Sequence, residues 1–92
     1  MSEEPVRRRL CIRGRVQGVG FRFATEDAAH RIGVAGFVRN RPDGSVEAVF
    51  EGPPDRVALA ERFCHEGPPL ARVASVEVRD EPVEGLSGFW IR

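Results

Sequence analysis

The stretch GRVQGVGFR, residues 14–22, separates a strand pattern from a helix pattern and decides how the chain begins to fold. Before it, the side chains of residues 6–13 alternate, and one face is apolar from Leu10 onward, which predicts a half-buried strand. After it, from Phe21, apolar residues recur at helical spacing, and Gly33 lies where a C-capping glycine ends a helix. The stretch is therefore a glycine-rich connection from a strand to a helix.

The remainder of the chain predicts a β-hairpin, a second helix and two further strands. The predicted strands are residues 34–40, 45–52, 72–79 and 89–92, and the second helix opens at Pro53-Pro54-Asp55 and ends at Gly67-Pro68-Pro69. The hairpin turn is RPDG, residues 41–44, in which Pro presets φ, Asp bonds the backbone ahead and Gly supplies a positive φ. The order βαββαβ plus a short terminal strand predicts a ferredoxin-like split βαβ sandwich of the α+β class. In this fold two helices cover one face of an antiparallel sheet.

The same alternation predicts which side chains face the core. The expected inward-facing residues are Val46, Ala48, Phe50, Val57, Leu59, Ala60, Phe63, Cys64, Ala74, Val76 and Val78. Glu47 and Glu51 fall on the opposite, polar face of their strand, because side chains alternate along a strand. The run of charges from Arg7 to Arg9, at the start of the first strand, is expected to be solvated.

Length, composition and charge limit the class of protein. Ninety-two residues with a hydrophobic fraction of 41% suit a single domain, 1–92, of which residues 1–5 are expected to be a flexible N-terminus. The 14 basic and 14 acidic residues leave no net charge, which argues against a nucleic-acid partner. No apolar run approaches the length of a membrane span, and the first residues lack a signal-peptide core. We therefore expect a cytoplasmic protein with no membrane partner, and a monomer by default.

The cysteines and histidines do not indicate a catalytic or metal site. Cys11 and Cys64 have no metal-ligand spacing, and we expect free thiols, with Cys11 on the open face of the sheet and Cys64 in the core. His30 falls on the polar face of the first helix. His65 falls in the last turn of the second helix, where a cation interacts favourably with the helix dipole. We therefore predict no metal.

The predicted topology brings three chain segments to one edge of the sheet. The first two strands run in the same direction, so the GRVQGVG loop, the start of the first helix and Asn40 meet there. Loop glycines let backbone amides surround an anion, the helix N-terminus adds unpaired donors, and the guanidinium of Arg22 can bind two phosphate oxygens. Arg22 is otherwise unfavourably placed, because a cation in a first turn opposes the helix dipole. These features predict a phosphate site.

Two interpretations of Asn40 are open from the residues alone. Its amide can orient a water molecule for attack on a bound phosphate, or it can cap the hairpin turn before Arg41-Pro42. No His, Cys or pair of carboxylates falls on the same edge, so the chemistry must need little help with proton transfer. Hydrolysis of an acyl phosphate meets this condition, because its leaving group is a carboxylate with a pKa of roughly 4.

The blocks GRVQGVGFR and GFVRNRPDGSVEAVFEG, with the closing FWIR, resemble the acylphosphatase family over residues 6–92. The resemblance implies hydrolysis of acyl phosphates to a carboxylate and inorganic phosphate, without a metal or cofactor, and with phosphate as product and inhibitor. It implies that Arg22 and Asn40 are catalytic, that Asn40 holds the attacking water and that a substrate phosphate oxygen accepts the water's proton. The phosphate-binding backbone corresponds to Gln17, Gly18, Val19, Gly20 and Phe21.

The sequence departs from the family pattern at three positions. Cys11 stands where many members have an aromatic residue, Phe37 where many have Trp, and Arg41 where a small residue often follows the asparagine. Phe37 is expected to keep the packing role, and Arg41 to affect substrate preference. Two other hypotheses are a non-catalytic module that binds an anion or a phosphoprotein on the same fold, and an RNA-binding domain, which the zero net charge disfavours.

Overall fold

A computed structural model describes residues 4–92 as two helices and five strands. In chain order these are β1 (Val6–Arg15), α1 (Phe21–Ile32), β2 (Ala35–Asn40), β3 (Val46–Gly52), α2 (Pro54–Glu66), β4 (Arg72–Glu81) and β5 (Phe89–Ile91). The predicted element order is confirmed. Of the N-terminus expected to be flexible, residues 1–3 lie outside the described residues, and Glu4 and Pro5 are exposed ahead of β1.

The five strands form one sheet in the order β4-β1-β3-β2-β5. The first four strands in that order are antiparallel to their neighbours, but β5 is parallel to β2, with Gly36 opposite Phe89 and Val38 opposite Ile91. The predicted ferredoxin-like fold is therefore confirmed, with one correction: the sheet, predicted to be antiparallel, is mixed because β5 pairs in parallel with β2. The reason is geometric: β4 runs opposite to β2, and the chain reverses direction after β4, so the segment that reaches the edge of β2 runs parallel to it.

Both helices pack on one face of the sheet and bury an apolar core. Fully buried members of the core include Leu10, Ile12, Val38, Val46, Ala48, Ala29, Val57 and Cys64. Phe50 stacks on Phe89 with ring centroids 5.6 Å apart, which attaches β5 to the core. Leu59, expected to face inward, is 48% exposed instead. The buried stripe of α2 is Val57, Ala60 and Cys64, and a residue two positions after Val57 points to the opposite side of a helix.

A β-bulge between β1 and β4 shifts the inward face of β4. Arg13 lies opposite Ser75 but Gly14 lies opposite Val73, so Ala74 is an extra residue on β4. The bulge inverts the alternation, which is why Ala74 is exposed and Val73 packs against the core. A Cβ atom on Gly14 would lie 2.2 Å from the carbonyl oxygen of Arg72, so this glycine permits the close approach of β4.

A network of ion pairs lies on the open face of the sheet. Arg7 is 3% exposed and donates to Glu51 Oε2 at 2.7 Å and to Glu81 Oε1 at 2.9 Å. Arg9 donates to Glu81 Oε2 at 2.7 Å and to Glu47 Oε2 at 2.6 Å. Glu47 and Glu51 are buried as a result. The expectation that the arginine run would be solvated is wrong for Arg7, because carboxylates of both flanking strands surround it.

Glu51 also determines the path of the segment between β4 and β5. Its carboxylate accepts the backbone N–H groups of Glu84, Gly85 and Leu86 at 3.0, 3.1 and 3.0 Å. Burial alone would raise the pKa of Glu51, but the hydrogen bonds from the Glu84 amide and from Arg7 outweigh it, and the pKa is lowered. The carboxylate is therefore held in its charged form.

Replacing Glu51 with Ala is expected to destabilise the fold by about 3–5 kcal/mol, measured as the free energy of unfolding in urea. The change leaves the buried Arg7 without its closest carboxylate and removes the acceptor of three backbone amides. Asp27→Ala is the control, because Asp27 forms an exposed ion pair with Arg31 at 3.2 Å and should contribute less than about 1 kcal/mol. Equal losses for the two variants would contradict the importance of the Glu51 contacts.

Acid is expected to destabilise the protein over a pH range that depends on the pKa of Glu81. Hydrogen bonds from Arg9 and then Arg7 lower the pKa of Glu81 from 4.5 to about 2. A carboxylate with a lowered folded-state pKa stabilises the fold fully above its unfolded pKa, and loses that contribution as the pH falls towards the folded pKa. The free energy of unfolding should therefore fall between pH 4.5 and about 2. Glu81→Gln should flatten this fall, whereas Glu66→Gln, at an exposed position, should leave it unchanged.

Candidate active site

The loop after β1 is fixed by its two valines. Val16 and Val19 are 1% and 9% exposed and belong to the core, so their side chains hold the loop against the body of the protein. Gly18 and Gly20 have φ values of 74° and 79°, in the left-handed region. A Cβ atom on either would meet nothing within 4 Å, so the backbone conformation, and not close packing, requires glycine there.

The N-terminus of α1 is open to an anion. Gly20 is the N-cap and makes no side-chain capping bond, and no acidic residue lies in the first turn. The first-turn amides consequently keep their partial positive charge, to which the guanidinium of Arg22 adds a full charge. Among the described residues, no carboxylate lies within ion-pair distance of Arg22. The end of the helix is thus positive and unneutralised.

The side chain of Gln17 links the loop to the hairpin turn. Its Nε2 donates to the carbonyl oxygens of Arg41 at 2.8 Å and Ser45 at 2.9 Å. The turn itself is closed by the Arg41 amide, which donates to the Ser45 carbonyl at 2.8 Å, and by Asp43 Oδ1, which accepts from the Ser45 amide at 2.9 Å. The sequence predicted only a backbone role for Gln17, and an isolated glutamine in a loop gave no signal of this contact.

A pocket of about 200 Å³ brings Arg22 and Asn40 together, as the direction of the first two strands predicts. Its lining residues are Val16, Gly18, Gly20, Phe21, Arg22, Phe23 and Asn40. Gln17 and Val19 are absent from the lining, because the first side chain contacts the hairpin and the second lies in the core. Three of the five residues predicted to supply the loop backbone, Gly18, Gly20 and Phe21, therefore line the pocket.

Asn40 is the last residue of β2 and is half-buried. Within residues 4–92 its side chain makes no hydrogen bond, and the hairpin turn is held by Gln17 and Asp43 instead. The structure therefore gives no support to the interpretation of Asn40 as a cap of the turn. Its amide is free to bind a ligand or a water molecule in the pocket.

The thiols and imidazoles lie away from this pocket. Cys11 is half-buried on the open face and Cys64 is fully buried in the core, both as free cysteines, which confirms their predicted places. Burial raises the pKa of the Cys64 thiol. His30 is exposed on α1, with Nε2 3.1 Å from the carbonyl oxygen of Phe89, and His65 lies 3.4 Å from Glu61. None of them lines the pocket that contains Arg22.

Residues 4–92 contain neither a metal-binding cluster nor a helix that could span a membrane. No group of three or more His, Cys, Asp or Glu residues is placed to hold a metal ion. Neither helix is long and apolar enough to cross a membrane.

The three departures from the family pattern lie outside the pocket lining. Phe37 is buried on the open face, with its ring 6.0 Å from that of Trp90 and the guanidinium of Arg92 3.8 Å from its centroid. The side chain of Arg41 points to Glu47, 3.9 Å away on the open face. Cys11 lines a separate groove of about 230 Å³ there. The predicted effect of Arg41 on substrate preference thus has no contact in the pocket to support it.

Comparisons with known proteins agree with one another. The Acylphosphatase family profile matches residues 8–91. A protein named acylphosphatase from Thermococcus kodakarensis is 58% identical over 84 residues, which are 91% of this chain and 92% of that protein. One from Rubrobacter xylanophilus is 56% identical over 92 residues, or 99% of this chain and 84% of that protein. The crystal structure of acylphosphatase from Bacillus subtilis matches with a TM-score of 0.91 at 35% identity, covering 95% of this chain and 98% of that one.

Removing the Gln17 amide is expected to loosen the loop without unfolding the protein. In Gln17→Ala the two hydrogen bonds to the hairpin are lost, so the amides of residues 18–22, 41 and 43–45 should exchange with deuterium faster than in the wild type. Ser45→Ala is the matched control, because it removes the hydroxyl bond to Asp43 and keeps both carbonyl acceptors of Gln17. Unchanged protection of residues 18–22 in Gln17→Ala would show that the link does not hold the loop.

Proposed function

The chain belongs to the acylphosphatase family, and we propose that it hydrolyses acyl phosphates to a carboxylate and inorganic phosphate in the pocket between the loop and Asn40. One observation supports this site above all. Arg22 and Asn40 line the same pocket, and within residues 4–92 neither side chain has a partner. A guanidinium and an amide that have no partner in the fold are available to hydrogen-bond a ligand.

The phosphoryl group binds to the loop and to the first turn of α1. Gly18 and Gly20 both have a left-handed backbone and line the pocket, and successive N–H groups of such a turn can form a concave set that binds anions. The helix N-terminus contributes further donors and a partial positive charge. The planar guanidinium of Arg22 can bind two phosphoryl oxygens at once, which fixes orientation as well as neutralising charge.

Asn40 positions the attacking water. Its side-chain oxygen accepts a hydrogen bond from the water, and its amino group can donate to the phosphoryl group or to the leaving oxygen. The water oxygen forms a new bond to phosphorus as the bond to the acyl oxygen breaks, and the electron pair leaves with the carboxylate. Both protons of the water end on inorganic phosphate, so a phosphoryl oxygen of the substrate can serve as the acceptor.

The leaving group explains why this pocket needs no general acid or base of its own. A carboxylate has a pKa of roughly 4 and departs without a proton, whereas the alkoxide of a phosphate ester would need one. Among the described residues that line the pocket, the only charged side chain is Arg22, and the lining contains no carboxylate, imidazole or thiol. Positioning and electrostatic stabilisation are therefore the means of catalysis that this pocket provides.

Two substitutions test the proposal directly. Arg22→Ala and Asn40→Ala should each lower kcat on benzoyl phosphate by roughly 100-fold or more, because each removes a group that contacts the reacting phosphoryl group or water. The variants should differ in binding: Arg22→Ala should weaken inhibition by phosphate, and Asn40→Ala should largely preserve it. The measurement is hydrolysis followed by ultraviolet absorbance in buffer with EDTA.

Three controls accompany these variants. Arg31→Ala removes an exposed arginine of the same helix at the end far from the pocket, and Cys11→Ser and His30→Ala change the remaining nucleophile and base candidates on the surface. All three should keep wild-type turnover. Phosphate binding without any turnover by the wild type would instead support the alternative, a non-catalytic anion-binding module. Full activity of Asn40→Ala would refute the role given to the asparagine.

A further inference from the structure

Phe23 is an aromatic residue whose side chain lies outside the hydrophobic core. The chain has six phenylalanines. Five of them make ring contacts, in the pairs Phe21 with Phe63, Phe37 with Trp90 and Phe50 with Phe89. Within residues 4–92, Phe23 makes no such contact, and it is 69% exposed. Its ring therefore contributes little to the core.

The position of Phe23 on α1 explains its exposure. Phe21 faces the core and is 2% exposed, and two residues correspond to a rotation of roughly 200° around a helix, so Phe23 points away. A single exposed apolar side chain is common on a protein surface and is not by itself a sign of function. What distinguishes Phe23 is the position of its ring relative to the pocket.

The ring lies at the pocket that contains Arg22 and Asn40. Val16 and Phe21 also line this pocket, but they are 1% and 2% exposed and present almost no surface to a ligand. Phe23 is therefore the exposed one among the three apolar side chains of the lining. Arg22 and Phe23 are neighbouring residues in the first turn of α1. A ligand whose phosphate is bound by Arg22 therefore lies close to the phenyl ring of Phe23.

We propose that Phe23 is a specificity-determining residue, whose ring contacts the acyl group and raises kcat/KM for aromatic or bulky apolar acyl phosphates relative to acetyl phosphate. This proposal rests on the proposed function and assigns a further residue to its site. The phosphoryl end of the substrate meets the charged part of the pocket, and the acyl end meets the one exposed apolar part. An aromatic acyl group gains contact with the ring of Phe23, whereas an acetyl group is too small to cover it.

The test compares benzoyl phosphate and acetyl phosphate as substrates, with release of phosphate or loss of absorbance as the readout. In the wild type kcat/KM should favour benzoyl phosphate. Phe23→Ala should reduce the ratio of the two kcat/KM values by roughly 10-fold, mainly by raising the KM for benzoyl phosphate. Phe23→Leu should restore part of the ratio, because it keeps apolar surface. Since the side chain is largely exposed, the variants should unfold at nearly the wild-type temperature.

Leu70→Ala is the matched control, because Leu70 is 68% exposed and does not line the pocket. It should leave both kcat/KM values at the wild-type level. A ratio unchanged in Phe23→Ala, with turnover intact, would overturn the acyl subsite and leave the proposed function standing. No turnover of either substrate by the wild type would refute the proposed function itself. A change of oligomeric state in Phe23→Ala with an unchanged KM would assign the ring to a protein contact and likewise overturn the subsite.

Discussion

The antiparallel pairing of β3 with both β1 and β2 is the constraint on which the site depends. Because of it, β1 and β2 run in the same direction, and the loop after β1 lies at the edge where β2 ends. Gln17 then holds that loop to the hairpin through the carbonyl oxygens of Arg41 and Ser45. Arg22 and Asn40, which are distant in the chain, line one pocket as a consequence. The direction of the strands thus forms the candidate site, and Arg22 and Asn40 are the side chains to which we assign its chemistry.

The central position of β3 also explains the ionic layer on the open face. Helices cover only the other face, so the open face of β3 needs a different cover, which the arginines of β1 and the carboxylates of β3 and β4 supply. A buried ion pair gains little over a well-packed apolar pair, but losing one partner is costly, and such pairs can specify one arrangement. Here Glu51 specifies the route of residues 84–86, because its carboxylate accepts their amides. The layer therefore contributes to the placement of β5 as well as to stability.

Local patterns predicted the element order and the meeting of Arg22 with Asn40, because hydrophobic period and strand direction depend on near neighbours. They did not predict the features that depend on contacts between segments far apart in the sequence. The bulge at Ala74 arises from the close approach of β4 to Gly14, and the burial of Arg7 from carboxylates on two other strands. The parallel pairing of β5 depends on the whole path of the chain. The link through Gln17 joins two loops, and no pattern within either loop encodes it.

The contrast between the two charged regions of the protein bears on how the pocket works. On the open face, Arg7 and Arg9 are each bonded to two carboxylates, and their charge is neutralised within the fold. In the pocket, Arg22 and an uncapped helix end concentrate positive charge beside an amide. An aspartate in place of Asn40 would put a negative charge in the pocket and repel a phosphate, so a neutral amide suits the anionic substrate that we propose. The pocket thus leaves a positive charge and hydrogen-bonding groups without partners in the described residues, which is the property that the proposed phosphate binding requires.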